Sequence, residues 1–335
     1  MMLRMILVLA VCMAIGLLMN GCIYQKYPAY EPMAKKSFFT VMKWHATSER
    51  AKWPEHIEQT QFDKPPARVP GKELRISYVN HSTVLVQTEN HNVLLDPIWS
   101  ERASPFTFIG PKRVHEPGIK WSDLARIDIV LISHSHYDHL DIETVRRLVK
   151  RDDPLFIVPK GVDEIILKHV PKARVEAKSW SEARVFNIDM TIYLVPAQHW
   201  SARSLWDRNK TLWGGFVLAT PHSHIYYSGD TGFGSGKLFD EIHQVFGPVR
   251  LAILPIGAYA PRWFMKDSHI DPNEAVDALK RLKAQNGLGV HWGTFQLSDE
   301  AIDAPINDLK AALKEAKIPE SRFRTLPAGT HWEIK

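Results

Sequence analysis

The run Ser133-His134-Ser135-His136-Tyr137-Asp138-His139-Leu140-Asp141 gathers three imidazoles and one carboxylate between positions 134 and 139. Neutral imidazole and carboxylate are ligands suited to Zn²⁺, and to Mn or Fe as well. In a turn, His134 and His136 can point one way while Asp138 and His139 point another. Two metals can then sit side by side, each holding part of the run. Four residues cannot complete two shells, so further ligands are expected elsewhere. His199 ends Leu194-Val195-Pro196-Ala197-Gln198-His199, Asp230 stands in Ser228-Gly229-Asp230-Thr231-Gly232, and His291 opens His291-Trp292-Gly293. With the central run they make seven, the number expected for a two-metal site with one bridging carboxylate.

The elements that position these residues read as alternating strands and helices. The largely apolar run Ile127–Ile132 directly precedes the central motif and reads as a strand buried on both faces. His199, Asp230 and His291 each stand where a predicted strand gives way to a loop, which is where α/β folds gather their sites. Leu74–Val79 alternates, and Val84–Thr88 with Asn92–Leu95 reads as a hairpin turning at Glu89-Asn90-His91. Further strands are expected at Leu155–Val158, Arg184–Phe186, Met190–Val195, Phe216–Ala219, Ile225–Ser228, Leu251–Leu254, Leu288–Val290 and Phe323–Leu326. Helices are expected at Ile142–Lys150, Val162–His169, Leu238–Phe246 and Ile306–Ala316. Another should open at Asp271-Pro272-Asn273-Glu274, an N-cap followed by Pro and Glu, and close at Gly287. The pattern predicts an α/β protein: two mixed sheets face to face with helices outside.

The 335 residues are 45% hydrophobic and 24% charged, which excludes disordered, collagenous and coiled-coil classes. The net charge of +5 is scattered, and no dense basic block suggests nucleic-acid binding. Cys12 and Cys22 are the two cysteines, so a disulfide scaffold, a thiolate metal site and a Cys nucleophile in the body are excluded. The glycines 232, 234 and 236 before Lys237 do not fit the spacing of a phosphate loop or a dinucleotide fingerprint. Arg4, the apolar stretch Met5–Met19 and then Asn20-Gly21-Cys22 read as a secretory signal peptide, too short for the ~20 residues of a spanning helix. The Gly-Cys end resembles a bacterial lipobox, so Cys22 is expected to be the first mature residue and to carry lipid. The expected organisation is a signal peptide over 1–21, a Pro- and aromatic-rich tether and arm over 22–70, and a catalytic domain over 71–335. The place of the protein is then the bacterial cell envelope, lipid-anchored on the periplasmic or extracytoplasmic face. Ile23 after Cys22, where Asp is absent, points to the outer membrane of a diderm host.

The order His134/His136/Asp138/His139, His199, Asp230, His291 resembles the metallo-β-lactamase superfamily. A narrower likeness runs from Ile76 to Phe295. The motifs around His134–Asp141, Pro196–Trp200, Gly229–Gly232, Pro255–Tyr259, Pro261–Met265 and His291–Phe295 resemble the N-acyl-phosphatidylethanolamine-hydrolysing phospholipase D family and its bacterial relatives. That resemblance implies a four-layer αβ/βα sandwich, two Zn²⁺ and phosphodiester hydrolysis, with a metal-bridging hydroxide as nucleophile. It implies that His134, His136 and His199 hold one zinc, that Asp138, His139 and His291 hold the other, and that Asp230 bridges. Asp96 matches a carboxylate that orients a ligand imidazole from behind. His269 matches a histidine near the scissile phosphate, and with Asp138 is a candidate catalytic group. Tyr259, Arg262, Trp263 and Phe264 are candidates for lining an acyl groove. The expected partners are a phospholipid or other phosphodiester and, through the lipid anchor, a membrane. Lactonase, amidase and nucleotide phosphodiesterase chemistry on the same fold, and a non-catalytic envelope lipoprotein, are the alternatives.

Overall fold

The computed structural model describes residues 36–335. Cys22 and the expected signal peptide lie outside the described residues. Among the described residues no helix is long and apolar enough to cross a membrane.

Two seven-stranded sheets lie face to face. The first runs in the order β14 (Thr330–Ile334), β1 (Leu74–Asn80), β2 (Thr83–Thr88), β3 (His91–Leu95), β4 (Ile129–Leu131), β5 (Leu155–Pro159), β6 (Arg174–Lys178). Its β14–β1–β2–β3 half is antiparallel and its β3–β4–β5–β6 half parallel. The second runs β13 (Phe323–Thr325), β12 (Asn286–Val290), β11 (Leu251–Pro255), β10 (His224–Tyr227), β9 (Gly215–Ala219), β8 (Met190–Val195), β7 (Ala183–Asn187). It mirrors the first: parallel from β10 to β13, antiparallel from β7 to β10.

The strand sequences explain the layering. Residues of one parity in β1–β4 (Ile76, Tyr78, Val84, Val86, Ile129, Leu131) meet Ile192, Leu194, Phe216 and Leu218 of the second sheet in one buried cluster between the sheets. The other parity (Val79, Leu85, Leu94, Val130) packs outward on helices α2 (Ile142–Arg151) and α3 (Val162–His169). The outer face of the second sheet is covered in the same way by α4 (Lys237–Phe246), α6 (Pro272–Arg281) and α7 (Ala304–Glu315). These are the two mixed sheets with outer helices of the metallo-β-lactamase fold. Helix α6 starts with the expected capping box of Asp271 and Glu274. It ends at Arg281 rather than Gly287, because Lys283 turns left-handed (φ 46°) and Gly287 lies within β12. A side chain at 287 would meet the Phe323 ring at 2.7 Å.

Four elements went unpredicted. Strands β6 and β14 lie at the edge of the first sheet, and α5 (Arg262–Met265) is a single turn. The fourth is α1 (Phe38–Thr47), capped by Ser37, in the Pro-rich segment whose sequence shows no period. Beyond α1 the chain runs extended over the sandwich, bonding Ala51 N to Asp299 O and Asp63 N to Gly118 O. A buried ion pair of Arg75 and Asp63, at 2.6 Å, pins it to β1.

Candidate metal centre

The ends of strands from both sheets converge on one spot. The first sheet brings His81 in the β1–β2 turn, Asp96 after β3, and His134, His136, Asp138 and His139 after β4. The second brings His199 after β8, Asp230 after β10 and His291 after β12. Cross-bonds fix the loops relative to one another. Gly214 N bonds Ser133 O at 3.0 Å across the sandwich, and Gln198 N donates to Thr231 Oγ1 at 2.9 Å. Gly229 has φ 59°, and a Cβ there would stand 2.6 Å from Ser133 Cβ, so glycine is required beside Asp230.

The donor atoms fall into two groups. Nitrogens of His134, His136 and His199 lie within 4.8 Å of one another, as do donor atoms of His81, Asp138, His139 and His291. Asp230 Oδ2 stands between the groups. It is 3.9 and 3.7 Å from Nε2 of His134 and His199, and 3.2 and 3.1 Å from Nε2 of His139 and His291. Asp138 Oδ2 lies 3.3 Å from Nε2 of both His139 and His291 and accepts from His81 Nε2 at 3.0 Å.

Partners behind the rings decide which nitrogen faces the centre. Asp96 Oδ2 accepts from His139 Nδ1 at 2.6 Å, from Ser133 Oγ and from Tyr227 Oη. Ser133 Oγ, having given its proton to Asp96, accepts from His134 Nδ1 at 2.9 Å. His199 Nδ1 donates to Ser268 O at 3.0 Å. Each of these rings is thus held with the Nε2 lone pair inward, the arrangement typical of metal-binding histidines. His136 is turned the other way, its Nδ1 only 2.8 Å from His134 Nε2 and 3.3 Å from His199 Nε2. Two ring nitrogens this close share either a hydrogen-bonded proton or a metal ion. The buried Nε2 atoms of His139 and His291 and Oδ1 of Asp230 have no hydrogen-bond partner. The residues therefore fit metal ions by donor type, tautomer and orphaned atoms.

Electrostatics agree. Burial lowers the pKa of His134, His136 and His199, and neighbouring imidazoles lower those of His134 further; His136 falls to about 4 and His199 to about 3. Burial also acts on His139 and His291, but Asp230 and Asp138 outweigh it, raising His139 well above its usual value and His291 to about 9. Burial would push Asp138 and Asp230 up, yet the His139 charge holds both well below the carboxylate range. The buried carboxylates Asp138 and Asp230 thus favour positive charge beside His139 and His291, which divalent cations would supply.

A family model described as "Beta-lactamase superfamily domain" matches residues 91–292. The chain belongs to the β-lactamase superfamily. It is 37% identical over 267 residues to N-acyl-phosphatidylethanolamine-hydrolyzing phospholipase D 1 of Caenorhabditis elegans, covering 77% of this chain and 75% of that one. It is 43% identical over 126 residues to outer membrane protein RomA of Klebsiella pneumoniae, covering 38% of this chain and 92% of the other. Among solved structures, isothiocyanate hydrolase from Delia radicum gut bacteria superposes with a TM-score of 0.60 at 19% identity, over 77% of this chain and 98% of that one. This β-lactamase-superfamily chain is accordingly a metal-dependent hydrolase whose His/Asp cluster can bind metal ions.

A cavity of about 600 Å³ opens over the cluster. His136, Asp138, His199, Asp230 and His269 line it, and Trp200, Leu205, Phe264, Met265 and Leu297 give it apolar walls. The His269 ring is 5.2 Å from that of His199 and 5.4 Å from that of His291, and burial first, then His199 and His291, push its pKa well down. Of the four expected groove residues, Phe264 lines this cavity, and Tyr259, Arg262 and Trp263 do not. Tyr259 donates its hydroxyl to Asp308 at 2.5 Å. Arg262 bonds His269 O and Glu274, which holds the His269 backbone from behind. Trp263 is 45% exposed, and the loop presents Phe264 together with Met265 to the cavity. Two contributors escaped sequence reasoning. His81 offers one imidazole in a tight turn (φ 43°), a setting with no spacing signal. Val41 and Trp44 of α1 form a cavity wall, Trp44 stacking on Phe264 at 4.7 Å.

Proposed function

We propose that the chain is a membrane-associated binuclear zinc phosphodiesterase that hydrolyses a phospholipid phosphodiester bond in the manner of a phospholipase D, on a substrate like N-acyl-phosphatidylethanolamine. One observation carries the reading: the Asp230 carboxylate is shared between two groups of inward-facing imidazoles on the floor of a cavity walled by apolar side chains. His134, His136 and His199 would hold one ion, Asp138, His139 and His291 the other, and Asp230 both. When bound, such a pair ionises a water near neutral pH and offsets the charge of phosphoryl oxygens. Asp96, Ser133 and the Ser268 carbonyl keep the ligand rings in their working tautomers. His269, at the edge of the cluster and free at its buried Nδ1, holds the phosphate at a fixed position. The apolar walls accept acyl chain.

The arrangement 1–21 signal peptide, 22–70 arm and 71–335 catalytic domain, with lipid on Cys22, would present this cavity to a bilayer of the envelope. The exposed Leu205 (90%) and Trp206 (83%) near its mouth, and the name of the RomA relative, support that placement. The test is metal analysis of the purified protein joined to a lipid panel with mass-spectrometric identification of products. Two divalent ions per chain and release of phosphatidic acid are expected. Two bound ions with lactone or amide turnover in place of phosphodiester turnover would overturn the substrate class, and two ions with no turnover would make the chain a binding protein. Cys22→Ser should free the protein from membranes; unchanged retention refutes the anchor.

A further inference from the structure

The cavity carries two cations that the metal chemistry does not use. Lys36, at the entry to α1, lines the wall opposite the cluster; its ammonium bonds Phe264 O and sits 4.1 Å over the Phe264 ring. Arg208 lines the same cavity with its guanidinium 3.9 Å over the Trp200 ring, and Trp200 in turn packs 4.3 Å from the His136 ring. The guanidinium is therefore one indole away from the metal group. Among the described residues neither cation has a carboxylate at ion-pair distance, while Asp267 on the loop after α5 offsets part of the Lys36 charge from farther off. Burial first, and then Arg208, lower the pKa of Lys36, against Asp267, which raises it; burial alone lowers that of Arg208. The acidic side chains lining the cavity are Asp138 and Asp230, both committed to the cluster.

Counting charges shows what is missing. Two divalent ions, two carboxylates and an ionised water leave about +1, which one phosphodiester cancels. Lys36 and Arg208 then line the cavity without an ion-pair partner among the described residues, Asp267 offsetting part of the Lys36 charge from farther off. We propose that they form a second anion subsite, and that this hydrolase selects phosphodiesters whose alcohol side bears a further phosphate or carboxylate. An ammonium head group would meet two like charges in a half-buried wall, so the same pair discriminates against it. The inference rests on the phosphodiesterase reading and replaces the neutral N-acylethanolamine head group with an anionic one. Arg208 and Lys36 are specificity residues here, and the scissile bond is left to the cluster.

The test uses the full metal-loaded chain in detergent with short-chain phosphodiesters that differ only in the end of the head group: phosphate, carboxylate, hydroxyl or trimethylammonium. The phosphate- or carboxylate-ended ester should exceed the hydroxyl-ended one by about 10-fold or more in kcat/KM, and the trimethylammonium one should be poorest. Arg208→Gln and Lys36→Gln should each remove about 10-fold of that advantage through KM, with kcat and the hydroxyl-ended ester nearly unchanged; Arg208→Lys should restore most of it. A general packing defect would slow every ester alike. Equal rates across the wild-type panel, or variants that affect all esters equally, overturn the subsite. A second readout needs no turnover: calorimetric binding of a phosphonate analogue ending in phosphate against the same analogue ending in hydroxyl. A difference of about 10-fold that vanishes in Arg208→Gln supports the subsite even if no ester is cleaved, in which case the phosphodiesterase reading alone falls. Equal affinities overturn the subsite whatever the turnover.

Discussion

Asp96→Asn isolates the contribution of a single proton acceptor to the metal centre. The amide oxygen can keep the bond from Ser133 N at 2.7 Å, which leaves the NH₂ where Oδ2 now meets Ser133 Oγ, Tyr227 Oη and His139 Nδ1 at 2.6 Å. The two hydroxyls can rotate and accept. The imidazole cannot; it escapes the clash of donors only by moving its proton to Nε2, the atom 3.2 Å from Asp230 Oδ2. That removes the lone pair from the half of the site built by His81, Asp138, His139 and His291. The other half keeps its geometry, because Ser133 Oγ still accepts from His134 Nδ1. Loss of such a supporting bond weakens metal binding by about 10- to 100-fold, or about 1.4–2.7 kcal/mol. The assay is competition with a chromogenic chelator, with metal counted by mass spectrometry after dialysis. One ion should remain tight and the second should be lost. Two ions held with wild-type affinity would refute the tautomer argument.

Asp63→Asn leaves the Arg75 guanidinium buried without its counter-charge and should cost about 3–5 kcal/mol in denaturant unfolding; a loss below about 1 kcal/mol would mean that the pair is solvated. Burial pushes the Asp63 carboxyl up, but Arg75, Ser77 and His331 outweigh it and hold its pKa below the usual value. Its stabilisation is therefore complete above an unfolded pKa of about 3.9 and fades as pH falls below it, an acid sensitivity that Asp63→Asn should lack in pH-dependent melting. Gly229→Ala drives a methyl against Ser133 Cβ at a left-handed backbone position, and should lower both Tm and metal affinity; wild-type values of both would contradict the packing described. Divalent metal at about 100 times its Kd should raise unfolding free energy by about 2.7 kcal/mol, reversibly with chelator, and an unchanged Tm would deny a metal role to the cluster.

The parts of this site visible in the sequence are those that local chain geometry repeats. His134, His136, Asp138 and His139 crowd one turn, and their density alone marks them. His199, Asp230 and His291 follow strands whose apolar character is plain, so their places at the sheet ends could be inferred. His81 follows an equally clear strand, but its ring reaches Asp138 only because residue 81 adopts a positive φ, which no spacing rule announces. Helix α1 has no period because its apolar residues serve two surfaces: Trp44 meets Phe264, and Met42 is 49% exposed. Strand β6 reads as polar, Arg-Val-Glu-Ala-Lys, because an edge strand buries little. The Tyr259–Trp263 loop misled on direction. Its aromatic and cationic residues suggest a groove, whereas partners elsewhere (Asp308, Glu274, His269 O) draw them off the cavity.

Because Val41 and Trp44 stand over the metal cluster, the N-terminal arm and the hydrolytic body share ownership of the substrate chamber. A chain trimmed of everything before residue 50 would retain the Asp63–Arg75 clasp and every candidate ligand, and would lose the part of the cavity wall that Lys36, Val41 and Trp44 form. Selectivity at the proposed site would then depend on the residues of α1, while the donor cluster beneath them stays fixed.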